Sequence, residues 1–150
     1  MRALFSIFPL LVIPVAIYNI MAFAFGGGAG IDPQISPLMA QLDANLMSVP
    51  MISGVQWQLT NGDMLVLLAV AFLFIEILKS TSTGTATIMN HAVSMLLFIA
   101  CLIEFLLLRN FATSTFFILT IMALLDVLAG VVVTIVSARR DFAVGEGFSG

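Results

Sequence analysis

Asp126 stands in "MALLDVLAGVV", near the middle of a long apolar run and with no basic residue within a helical turn of it. A carboxyl at the centre of a bilayer costs roughly 2.5–3.5 kcal/mol on insertion scales, and more when it is charged and unpaired. Such a group must be protonated, or matched by a group on another helix or another subunit. Two further acids, Glu76 and Glu104, lie inside the ends of two other apolar runs. The stretch "TATIMNHAVSM" adds Asn90, His91 (the only histidine) and Ser94. Carboxylates and an imidazole at stepped depths are what a proton or cation relay requires.

Spacing aligns these groups. At about 100° per residue, Thr87, Asn90, Ser94, Cys101 and Glu104 share one face of a helix, with His91 at its edge. Asp126 shares a face with Thr115, Ala123, Gly130, Thr134 and Ser137. Gly130 and Thr134 form a small-xxx-small pair that permits close helix approach, and Ala123 extends the same surface. Ala69, Lys79 and Ser80 fall on the side of Glu76. Aligned stripes on three helices predict one buried seam. Its expected parts are an inner cluster (Glu76, Lys79, Asn90, His91), a central acid (Asp126) and an outer cluster (Asp63, Glu104, Arg109).

Structural roles compete with this chemistry. Glu76 and Lys79 are i,i+3 neighbours and can simply pair. His91 can serve as a hydrogen-bonder near a helix start, and Glu104 can pair with Arg109. The hydroxyl run "STSTGT" fits a turn, with Thr83 or Thr85 capping the following helix. Such a turn sets Glu76 and His91 at similar depth and predicts a direct contact between them. "ATSTFF" is expected to cap the last helix in the same way.

The chain lacks other catalytic signatures. There is no phosphate-binding loop, HExxH or GxSxG elbow. One cysteine, Cys101, gives neither an intrachain disulfide nor a dithiol redox pair. One histidine cannot supply two axial haem ligands within one chain. The five basic residues are scattered, so there is no nucleic-acid footprint. We expect no enzymatic activity, no cofactor and no metal.

These groups need helices to hold them. Of 150 residues, 61% are hydrophobic and 9% charged, with net charge -3; mean hydropathy is +1.19. Soluble domains carry about 25% charged residues, so the chain is too apolar to cover a soluble surface. The expected fold is all-α: a single polytopic membrane domain over 1–150, a bundle of four transmembrane helices at 4–25, 64–79, 86–108 and 111–137. The first is read as a retained helix, bent by Pro9 and Pro14, rather than a cleaved signal. Four crossings put Arg2, Lys79, Arg139 and Arg140 on one side and Arg109 on the other. Both termini are therefore predicted cytoplasmic, in a bacterial-type inner membrane.

Loop 26–63 is then extracytoplasmic. It opens with "GGGAG" and continues into "SPLMAQLDANLM", where Ser36, Pro37, Leu38, Met39, Leu42 and Leu46 predict a short amphipathic helix ended by Pro50. Trp57 suits an interface. The cytoplasmic tail is 138–150, and its glycine-rich end "DFAVGEGFSG" (141–150) is expected to be mobile. Four short spans are also the layout of the small multidrug exporters, but those carry their essential glutamate in the first helix, where this chain has no acid. The small subunits of tripartite dicarboxylate transporters share only size and helix count.

Three functions follow. The first is a non-enzymatic subunit in the lipid bilayer, self-associating as a homo-oligomer or joining larger membrane-complex partners. The alternative is a proton- or cation-linked channel or transporter working through Asp126, Glu104, Glu76 and His91. A haem- or quinone-binding protein is the weaker third.

Overall fold

A computed structural model describes residues 8–25, 37–80 and 85–145 of the chain, with the backbone alone for 80, 85–87 and 137–145. The order of elements is α1 (Val12–Phe25), α2 (Pro37–Leu42), β1 (Asn45–Pro50), β2 (Gln56–Thr60), α3 (Asn61–Ser80), α4 (Thr85–Leu107), a 3₁₀ turn (Arg109–Phe111) and α5 (Ser114–Gly145). Three stretches are long and apolar enough to cross a membrane: Asn61–Lys79, Ile88–Leu107 and Ser114–Val136. The first helix is apolar but shorter, at 14 residues, or about 21 Å.

α1 begins where its prolines allow. Pro9 lies in the turn before it, where the Val12 and Ile13 amides bond to the Pro9 and Leu10 carbonyls. Pro14 occupies the first helical turn, where its missing N–H costs little. The two prolines therefore mark the start of the described helix instead of bending its middle. The helix runs from the C-terminal end of α3 to the α4–α5 turn. Its leading turn bonds Glu76, and its last turn receives Asn110. α5 packs along both α3 and α4. The shared core joins Leu11, Val15, Tyr18, Leu65, Ala69, Cys101, Phe116 and Leu119.

The loop before α3 differs from the amphipathic helix expected there. Only Pro37–Leu42 is helical, with Leu38 and Leu42 buried. Residues from Asn45 form an antiparallel hairpin with Gln56–Thr60 instead, and Leu46 lies at an irregularity in its register. Six residues are too few to propagate a helix alone. The alternating "QWQLT" offers 45–50 a partner strand. Asn61 pins the junction, its amide bonding the Ala44 carbonyl and its side chain the Gln41 carbonyl. Pro50 ends a strand, not a helix. The hairpin closes through Gly54 at φ 82, in the left-handed region that glycine takes without strain.

The last helix also exceeds expectation. It continues to Gly145, so the first half of the stretch read as mobile is helical. Arg139, Arg140 and Ala143 are good helix formers, and extending a formed helix is cheap. The expected caps at Ser36 and Thr83, the side chain of Thr85 and the turn at 81–84 fall outside what the structure describes. The cap in "ATSTFF" is present: Thr113 Oγ1 accepts the Phe116 amide at 3.2 Å.

Candidate functional site

The polar stripe of α4 is real. Asn90, Ser94 and Cys101 are each at most 1% exposed, and all face the other helices. Glu76 on α3 and Asp126 on α5 are buried to the same degree. Two distinct polar clusters result, one at each end of the bundle.

At the first end Glu76 is a hub for three helices. Its Oε2 accepts the Leu10 amide at 2.9 Å. Its Oε1 accepts Asn90 Nδ2 at 2.5 Å and pairs with Lys79 Nζ at 3.0 Å. Lys79 also donates to the Phe8 carbonyl at 3.0 Å. The leading turn of α1 is thereby tied to α3, and α3 to α4. The expected i,i+3 pair exists, within a larger network.

The expected Glu76–His91 contact does not form. Asn90, one residue earlier, takes the carboxylate, because its position on the stripe faces α3 whereas His91 lies at the stripe's edge. The His91 ring packs on Gly130 of α5; any Cβ there would collide with the imidazole. Gly130 is thus the small residue that permits close approach. Ala123 is buried in the same surface. Thr134 is not: it lies on the exposed side and returns its hydroxyl to the Gly130 carbonyl at 2.9 Å.

Beyond Glu76 the hydrogen bonding runs out. Asn90 Oδ1, both His91 ring nitrogens, Ser94 Oγ and both Asp126 carboxyl oxygens are buried with no hydrogen-bond partner among the described residues. They lie on facing stretches of α4 and α5, where the Ser94 hydroxyl stands beside the Asp126 carboxyl and Glu76, His91 and Lys79 are the ionisable neighbours close enough to act on it. Buried polar atoms are nearly always paired in folded proteins. Six orphans in one seam single out this stretch as the candidate site. Asp126, at the middle of the Ser114–Val136 stretch, belongs to this cluster.

The second end is saturated. Tyr18 Oη donates to the Asn110 carbonyl at 2.9 Å and shares a 2.6 Å bond with Thr113 Oγ1. Its ring packs against Phe111 and Phe116, with centroids 5.6 and 4.6 Å away. Asn19 Nδ2 donates to Glu104 Oε2 at 3.2 Å and to the Val15 carbonyl at 3.1 Å. Glu104 is thus held by α1, not by Arg109, whose side chain is exposed. Asp63 does not join Glu104 either. It forms a capping box with Thr60, accepting the Thr60 amide and hydroxyl at 3.0 and 2.8 Å while Thr60 Oγ1 accepts the Asp63 amide at 3.1 Å.

Ala69, Cys101, Leu119 and Met122 fill the core between the two ends. Ser94 and Glu104 are about 15 Å apart along α4, with apolar packing between. The expected inner, central and outer steps therefore reduce to one unsaturated cluster and one structural cluster. Sequence reasoning missed Tyr18, Asn19 and the Thr60–Asp63 box. "TNGD" ahead of an apolar run signals the box, and the adjacent Tyr18–Asn19 in an apolar helix signals the contact. No cluster of three or more His, Cys, Asp or Glu able to hold a metal occurs among the described residues. Comparison with known families, curated proteins and solved structures gives no match, so the site is understood from its own geometry and chemistry.

Proposed function

We propose that this is a non-enzymatic multi-pass protein of a cytoplasmic membrane that binds and exchanges a proton or small cation at Asp126, with Asn90, His91 and Ser94 around it. The observation that carries this reading is the group of six buried, unpartnered polar atoms. Asn90 Oδ1 and the Asp126 oxygens are acceptors, Ser94 is either, and neutral imidazole offers one donor and one acceptor. An added proton or an oxygen-seeking cation supplies what this set lacks. Access is from the Glu76 end, where Lys79 reaches the surface; onward transfer requires the apolar core on the other side to open.

α1 completes a four-crossing bundle in this proposal. In support, its two ends bond to opposite ends of the bundle. Lys79, Arg139 and Arg140 on the Glu76 side favour a cytoplasmic location for that end and for both termini. In liposomes the purified protein is expected to carry protons or monovalent cations, with the flux lost in Asp126→Asn. Flux equal to that of empty vesicles would remove this reading.

A second reading is an accessory or self-associating subunit. It is supported by the apolar face of α4 (Met95, Leu96, Ile99, Ile103 and Leu106), which no other described element covers. Extraction in mild detergent is then expected to recover a stable complex; monomer alone would count against it.

A further inference from the structure

The hairpin of β1 and β2 has two unlike faces. Directly paired residues share a face, and alternate residues follow. Val49 pairs with Trp57 and Met47 with Leu59, which makes one face apolar. Ser48 pairs with Gln58 and Pro50 with Gln56, which makes the other mostly polar. The apolar face is buried only at its base, where Leu59 is 6% exposed, while Met47 and Trp57 remain about half exposed and Ile52 at the tip is fully exposed. No charged residue occurs between Asp43 and Asp63.

We infer that this hairpin is a membrane-interface anchor, its apolar face laid on the lipid surface at the Tyr18 end. Continuity with the helix surface identifies the occupant. β2 passes into α3 without a linker. Trp57 lines one cleft with Leu67 and Ile118, which belong to the outward faces of α3 and α5. The apolar strip of the hairpin thus prolongs the surface those helices present to lipid. The absence of charge suits neutral headgroups, and the indole suits the headgroup boundary. Depth is limited by the backbone. A two-stranded sheet leaves unpaired N–H and C=O groups on both edges, which hydrocarbon cannot satisfy. The hairpin therefore lies at headgroup level, with Gln56, Gln58 and Ser48 toward water.

Trp57 is the sole tryptophan, so its fluorescence reports this element directly. The protein is reconstituted in neutral phosphatidylcholine vesicles, with and without bromine on the acyl chains near the headgroups. A blue-shifted emission, quenched by the brominated lipid and poorly quenched by aqueous acrylamide, is expected. The tip is read separately in Trp57→Phe/Ile52→Trp. A hairpin standing in water would hold that tip about 17 Å from its base, and acrylamide would then quench it fully while bromolipid would not. That result overturns the inference. Protection from acrylamide without bromolipid quenching, growing with the protein-to-lipid ratio, overturns it in favour of a second copy of the chain. None of these readouts depends on proton or cation binding.

Discussion

Tyr18, Thr113, Asn19 and Asn110 at one end of the bundle each find a partner within it. At the other end, Asn90, His91, Ser94 and Asp126 leave six buried atoms without one among the described residues. The residue types are alike; the difference lies in what surrounds them. The Tyr18 end has irregular backbone nearby, with the free carbonyls of the 3₁₀ turn and the last turn of α1. The Glu76 end meets the seam where three helices have already spent their backbone groups on themselves. A polar side chain there can be satisfied only by another side chain or by a guest. Saturation makes a structural joint; its absence makes a candidate site.

Substitutions can break this contrast. The largest expected effect is that of Glu76→Ala, because Glu76 joins three helices. It leaves the buried Leu10 amide and Asn90 amide without acceptors, a loss of about 2–5 kcal/mol. Denaturant titration in mixed micelles reads it, and a loss below that of a surface substitution would deny Glu76 its role as hub. Asp126→Leu is expected to act in the opposite direction. It removes two orphaned oxygens at similar volume and raises stability by about 1–3 kcal/mol, while ending any proton or cation flux. If that variant is markedly destabilised, the carboxyl is a structural partner and the contrast between the ends fails.

Tyr18→Phe sharpens the other side. It keeps the ring packing but removes two hydrogen bonds, for an expected loss of about 1–2 kcal/mol. Flux should be unchanged, since Tyr18 lies across the apolar core from Asp126. A flux defect in Tyr18→Phe at wild-type stability would join the two ends into one pathway.

Local pattern in the sequence determined much of this protein. Apolar runs specified the three long helices because twenty or so such residues must leave water. The 100° spacing of Asn90, Ser94 and Cys101 specified their buried face. "TNGD" and "ATSTFF" carry their caps within four residues, so local chemistry sufficed. The tertiary structure decided what spacing along one helix cannot. It chose Asn90 over His91 as the partner of Glu76, because that choice depends on how α3 and α4 are rotated against each other. It set His91 on Gly130, drew Asp126 into the cluster at the Glu76 end, and gave Glu104 to Asn19 instead of Arg109. It also paired 45–50 with 56–60, a long-range choice that helical spacing around Leu42 and Leu46 conceals. Depth and facing come from the chain; which polar atoms end without a partner is settled only when the helices meet.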